Sequence, residues 1–334
     1  MIQVYLYIDD TTQNVEDLKS SLSPFQKDFS HCITVVNISN YPYLRDKFQS
    51  KLPFLDIGPY RLTAPVSQND IHFALKETQA KIDIAVEKKD NYFLSRFSEK
   101  PVLTNSEKRS YWFAKHYMLL INLIVLLYVG LPFLAPIFMK TGLPGMAKPI
   151  YKIFSPLCHQ LAFRSWFLFG EQIAYPRSLA GIDDLRTYAE VSGNNEDDLI
   201  AARDFLGNEQ VGYKVALCQR DVAIYVGILL FGILFSLMGR WIKPIPWYIW
   251  IIFGLIPIGL DGFSQLLSQT GWSIFSWLSM RESTPLFRTI TGAMFGVFTA
   301  WYGYPYVREG FVEKLDDLEL KFAIVKANQK VKKV

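Results

Sequence analysis

Residues 117–139, YMLLINLIVLLYVGLPFLAPIFM, contain no charged side chain. As a helix rising about 1.5 Å per residue, this stretch can cross a hydrocarbon core of roughly 30 Å, and the reading of the whole chain follows from it. Three later stretches are further candidates: VAIYVGILLFGILFSLM (222–238), WYIWIIFGLIPIGLDGFSQLL (247–267) and PLFRTITGAMFGVFTAWYGYPYV (285–307). The first is short and the other two carry polar breaks. Trp247, Trp250, Trp301 and Tyr304 fall toward span ends, where amphipathic rings favour the headgroup level. The sequence therefore predicts an all-α membrane domain over residues 117–307, with about four transmembrane helices. The N-terminal third is charged and patterned like a soluble domain, so the 334 residues divide into parts that meet different solvents. A net charge of +4, dispersed along the chain, points away from nucleic acid as a partner.

Basic residues set the expected direction. Lys100, Lys108, Arg109 and Lys115 precede the first span, Arg240 and Lys243 lie between the second and third, and the chain ends KVKKV. Positive flanks favour the cytoplasmic side. The expectation is a multi-pass protein of the cell (inner or cytoplasmic) membrane, surrounded by membrane lipids, with both termini cytoplasmic. Met1 is followed at once by QVYLYI, without a basic n-region or an apolar h-region, so no cleaved signal peptide is expected. Segments 140–221 and 268–284 are then external. Within the first, IYKIFSPLCHQLAFRSWFLFGEQIAYP is too interrupted to span and reads as an interfacial or re-entrant helix. Farther on, Asn195 and the acids Glu196, Asp197 and Asp198 precede LIAARDFLG, which reads as a short soluble helix of an external helical cap, stopped by Gly207.

Ahead of the spans, QVYLYI (3–8) is a strand signal, VEDLKSSLSPFQ an amphipathic helix, CITVVNIS a second strand, and KLPFLDIGPYRL a strand, turn and strand around Pro53. This β-α-β-α-β-β order resembles a glutaredoxin or thioredoxin-like α/β domain over residues 1–78, with Pro53 at the position of that family's cis-proline. Where the family has its C-x-x-C after the first strand, this chain has DDTTQN (9–14), and thiol exchange requires a thiolate. The resemblance thus implies a cytoplasmic, redox-inactive domain kept for binding or structure. Cys32 reads as a small buried hydrophobe. Residues 79–116 form a charged juxtamembrane linker carrying Tyr92, Phe93 and Phe97 on a surface helix, and 308–334 a cytoplasmic helical basic tail. The tail's apolar periodicity suits docking to the head or to a partner.

Under this topology the polar islands gather on one side of the membrane: Cys158, His159, Gln160 and Arg164; Cys218, Arg220 and Asp221; Asp261 and Gln265; and Arg281, Glu282, Ser283 and Arg288. Ionisable groups at membrane depth are costly unless paired or solvated, so their convergence predicts a polar pocket. In order, CHQ followed by RS.FLFG, CQRD..IY.G, a DG..Q and RES…R..TG resemble a prokaryotic membrane-protein family catalogued as domain of unknown function 2085, over residues 120–305. The resemblance implies a multi-span membrane protein and carries over no activity. Members often have a second cysteine beside the CQRD-type motif, where this chain has only Cys218.

Several chemistries fit these residues. Cys158, His159 and Cys218, with a carboxylate such as Asp221 or Asp261, are candidate ligands for a metal, zinc or copper. Neighbours on a helix point about 100° apart, so Cys158 and His159 can share an ion only at an irregular turn, which Pro156 allows. Cys158 and Cys218 are also candidates for a disulfide if their Cα atoms come within about 7 Å. Asp261, Glu282 and His159 can act as acid and base, and Arg220, Arg281 and Arg288 offer forked donors to a phosphate. A plainer reading has arginine–acid pairs neutralising one another at the bilayer rim, with Thr284 and Pro285 opening the fourth span. The spacing Gly292-x-x-x-Gly296 permits close helix contact, within the bundle or to another subunit. No phosphate-binding glycine loop, zincin or haem-attachment motif is present. The functional expectation is an integral membrane protein whose external pocket binds or acts on a small or lipid-linked anionic ligand. The alternative is a non-catalytic accessory subunit of a larger electron-transfer or photosynthetic membrane complex, partnered by other membrane-protein subunits.

Overall fold

The structure, a computed structural model, describes residues 1–12, 15–239, 241–270, 277 and 279–331. Arg240 and the final lysines Lys332 and Lys333, which bear on orientation, lie outside the described residues, as do Gln13, Asn14 and much of the link before residue 285. The chain forms two compact units, Met1–His116 with Glu309–Val334, and Tyr117–Arg308.

In the first unit, alternation of apolar residues builds a four-stranded sheet. Strands β1 (Ile2–Ile8), β2 (His31–Asn37), β3 (Phe54–Ile57) and β4 (Tyr60–Thr63) lie in the order β2-β1-β3-β4. β1 is parallel to β2 and antiparallel to β3, and β3 and β4 form a hairpin. Helices α1 (Val15–Ser20) and α2 (Pro42–Phe48) connect the strands, and α3 (Gln68–Glu87) and α4 (Asn91–Phe97) follow. The capping box of Ser67 and Asp70 opens α3. Period-two alternation sends Ile2, Val4 and Leu6 to one face, where Ile71 and Leu75 of α3 cover them. Tyr5, Tyr7, Val36 and Phe54 belong to a second cluster.

That second cluster needs its own cover, and the cover comes from the far end of the chain. The last turns of α12 (Pro285–Val331) add Ala323 and Ile324 to it. Glu319 accepts from the backbone N–H groups of Tyr43 and Leu44 at 3.2 and 3.3 Å, donors in the first turn of α2 that have no partner within the helix. Lys47 pairs with Asp316 at 2.7 Å, Thr34 donates to Asn328 at 3.0 Å, and Lys321 pairs with Glu107 at 2.6 Å. The tail is therefore a structural layer of this unit.

The second unit begins within α5 (Asn105–Lys140), followed by α6 (Pro144–Phe154), β5 (Ser165–Leu168), α7 (Tyr188–Ser192), α8 (Leu199–Asp204), β6 (Gly207–Asn208) and β7 (Gly212–Cys218). Then come α9 (Gln219–Met238) and a helix from Trp247 to Gln269, made of α10 (Trp247–Ile249), a π-helical stretch Trp250–Leu255 and α11 (Ile256–Gln269). Among the described residues, α5, α9 and Trp247–Gln269 are the three helices long and apolar enough to cross a membrane. Residues 285–307 are helical too, but Arg288 and several threonines and tyrosines dilute their hydropathy. Burial is inverted relative to a water-soluble core. Leu260, Phe263 and Leu266 are exposed while Asp261, Gln265 and Ser268 on the same helix are buried. Lipid, not water, suits such a surface. A Cβ on Gly296 would stand 2.1 Å from the Ile224 carbonyl oxygen, and one on Gly292 2.7 Å from that of Arg220, so the glycine spacing serves contact between α9 and α12 inside the bundle.

Two local expectations for 140–221 are corrected. The expected interfacial helix ends at Phe154, because Pro156 and Gln160, with φ +53°, break it, and SWFL alternates as strand β5 in a sheet ordered β5-β7-β6. The cap helix starts later than Asn195. Asp198 is its N-cap, accepting from Ile200 and Ala201, and Gly207 is a strand residue with φ +105°.

Because the tail completes the second face of the sheet, Ile324→Ala is expected to destabilise the N-terminal unit by about 2–5 kcal/mol. Denaturant unfolding followed by proteolysis within residues 1–100 reads this directly, and an unchanged midpoint would remove the tail from the core.

Candidate functional site

Helical periodicity places Asp261, Ser264, Gln265, Ser268 and Gln269 along one side of α11, and the turn Arg281–Glu282–Ser283 lies against them. Asp261 is buried and accepts from Arg220 at 2.5 Å, from Arg281 at 2.9 Å and from the Ser283 hydroxyl at 2.7 Å. Arg281 also donates to Ser264 at 2.6 Å, and Gln265 accepts from the Ser283 N–H at 3.3 Å.

Glu282, with no exposed side-chain surface, is the second centre. Arg164 grips it with two donors at 2.9 and 3.3 Å, Gln269 donates at 3.2 Å, Arg177 stands at 3.5 Å, and Arg288 completes the shell. Burial raises the carboxyl's pKa, but the guanidiniums of Arg164 and Arg288 outweigh it and hold the group below its ordinary value. Phe163 lies against two of these cations, with the Arg164 and Arg177 guanidiniums 5.5 and 5.3 Å from its ring centre. Arg288 is itself buried and also donates to the Phe163 carbonyl and to Gln219. Five arginines thus meet the two buried carboxylates and the exposed Asp197, which pairs with Arg177. The Nε atoms of Arg177 and Arg220 are buried and have no partner among the described residues.

A third group lies at the start of α9. Ligand atoms of Cys158, Cys218 and Asp221 all stand within 4.8 Å of one another, and no disulfide joins the two cysteines. A hydrogen bond between the thiols lowers the Cys158 pKa and raises that of Cys218. Asp221 therefore sits with the thiols, apart from the arginine network. His159 is exposed and belongs to none of the three groups. Gln160 is buried and ties the carbonyls of Tyr151 and Ala216 at 2.9 and 3.0 Å, a backbone staple.

Arg177, Gln219 and Lys214 escape the sequence reading. Gln219 sits inside CQRD and was the legible one of the three. Lys214, fully buried on β7, donates to the carbonyls of Gln160 and Arg203, and the Asp204 carboxylate only partly offsets the burial of its charge. In the first unit, a cavity of about 960 Å³ is lined in part by Gln3, Tyr5, Arg61, Lys100 and Lys321. Gln3 Oε1 and the Tyr5 hydroxyl, both buried, have no partner there among the described residues.

Comparison with known proteins places these groups in context. A family model described as "Predicted membrane protein (DUF2085)" matches residues 210–302, a range that takes in Cys218, Arg220, Asp221, Asp261, Glu282 and Arg288. An uncharacterised protein of Methanocaldococcus jannaschii is 24% identical over 208 residues, which is 60% of this chain and 97% of the relative. No solved structure matches the chain.

Burial pushes the Lys214 ammonium from 10.5 down to about 7. Between those values the unfolded chain binds more protons than the folded one, so stability rises with pH across that window and is flat below it on this group's account. The expected result is that wild type gains on Lys214→Met, by up to a few kcal/mol, as detergent-solubilised protein is taken from pH about 7 to about 10. Parallel unfolding temperatures for the two proteins would show that Lys214 does not titrate in this range.

Proposed function

We propose that the chain is a four-span membrane protein whose arginine cluster, facing away from the cytoplasm, holds the phosphate of a small or lipid-linked anionic ligand. The carrying observation is the cluster's imbalance: five guanidiniums against two buried carboxylates and one exposed one, with the Nε donors of Arg177 and Arg220 left over. A buried donor without a partner costs about 1–3 kcal/mol, and an anionic group would satisfy the donors and the charge together. Arginine suits phosphate because its planar fork matches two oxygens at once. The proposed orientation rests on the basic flanks, and the fourth span on the helicity of 285–307 and the glycine contacts of α12 with α9.

For the N-terminal unit we infer a thioredoxin-like domain with a non-redox role. Its element order and the sheet order β2-β1-β3-β4, with β3 antiparallel to its neighbours, support that reading. After β1, Asp9 accepts from the Thr11 N–H and from the hydroxyls of Thr11 and Thr12, a closed turn with no thiol in it.

Thermal shift of the purified chain tests the anion site, with inorganic pyrophosphate and phosphatidic acid in mixed micelles as separate probes. Wild type is expected to be stabilised. Arg177→Gln and Arg220→Gln should each weaken binding by about ten- to a hundredfold, and the surface control Arg186→Gln should leave it unchanged. Stabilisation by the lipid alone would make the ligand lipid-linked, and by pyrophosphate alone would make it soluble. No shift with either probe would refute the reading.

A further inference from the structure

We propose that Cys158, Cys218 and Asp221 form a zinc site. The three donors come from two pieces of backbone. Cys158 closes the turn after α6, its N–H bonded to the Phe154 carbonyl at 3.0 Å, while Cys218 caps α9 and Asp221 lies three residues on. The i,i+3 spacing puts the last two on one face of the helix start, where Cys158 is brought against them.

Zinc bonds thiolate sulfur at about 2.3 Å and carboxylate oxygen at about 2.0–2.2 Å, so donors around a tetrahedral ion stand about 3.3–3.8 Å apart. The observed limit of 4.8 Å asks for a contraction of at most about 1.5 Å. Two soft sulfurs with one hard oxygen favour zinc over copper(I), which takes thiolates and thioethers, and over calcium or magnesium, which take oxygen only.

Backbone N–H groups point at both sulfurs. The Cys218 N–H points at the Cys158 sulfur at 3.2 Å and the Asp221 N–H at the Cys218 sulfur at 3.5 Å. The N-terminus of a twenty-residue helix adds its positive pole. Two thiolates and a carboxylate around a divalent ion leave one negative charge, which that pole offsets in part. Phe154, Val215, Leu217 and Val222 pack around Cys158, which shields the bonds to sulfur from water. Three protein ligands leave the fourth position open, the coordination of a reactive zinc more than of a closed structural one. The arginine cluster is reached through the same turn of α9, since Gln219 holds Arg288 and Arg220 holds Asp261.

The test uses the full chain in mild detergent, purified without chelator and under argon. Elemental analysis should find one zinc per chain, lost in Cys218→Ser and reduced in Asp221→Asn. Cobalt exchanged into wild type should show a thiolate charge-transfer band. Because either variant could fail to fold, wild type is also probed with a maleimide. A chelator should expose Cys158 and Cys218 to labelling, and added zinc should protect them again, with Cys32 unaffected in both steps. Zinc retained by Cys218→Ser, free labelling of both cysteines in the presence of zinc, or a Cys158–Cys218 disulfide in the argon-purified protein would each overturn the proposal.

Discussion

Burial of the Glu282 carboxylate is the constraint around which the Tyr117–Arg308 unit is organised. A carboxylate with no exposed side-chain surface costs several kcal/mol to desolvate unless counter-charges meet it. Here three arrive, from Arg164 before β5, Arg177 in the loop beyond it and Arg288 in the first turn of α12, and the neutral amide of Gln269 at the end of α11 adds a fourth donor. Satisfying one acid pins four segments together. Asp261 repeats the device one step away and binds α9 and α11 to the turn 281–283. Dispersion and glycine contacts can bring apolar helices together in lipid, where no hydrophobic force does so, but paired charges specify which ends meet.

The same logic explains how much could be read from sequence. Helices crossing lipid announce themselves by composition, because every backbone group must be satisfied within the segment. Strands β1 to β4 announce themselves by alternation. Asp261, Arg281, Glu282 and Arg288 stood out as charges where charge is expensive. Arg177 did not, because it sits in a loop rich in ordinary polar residues, and only the fold brings it to Glu282. Lys214 was hidden for a related reason: a lysine in a seven-residue strand reads as a solvated side chain until its neighbours are known. The misread segment after Phe154 shows a different limit. Aromatic residues at short spacing satisfy a helical and an extended template alike, and the choice was made by Pro156 and by the left-handed backbone at Gln160.

The tail carries a lesson about domains. A sheet-and-helix head and a C-terminal helix lie at opposite ends of the chain, yet Glu319 caps α2 and Ile324 fills the sheet's second face. The local pattern allowed such docking, but the pairings that fix it are separated by hundreds of residues and only the folded chain reveals them.

The central claim is that the cluster holds charge beyond what its own acids neutralise, and that the excess is there for an anion. An experimental density map of the detergent-purified chain, phased from protein atoms only, tests this most directly. The account predicts density for an acidic group within hydrogen-bonding reach of Arg177 Nε or Arg220 Nε. Density showing only water there, with every guanidinium donor turned onto Asp261, Glu282 or backbone carbonyls, would contradict it and leave the arginines as structural clamps.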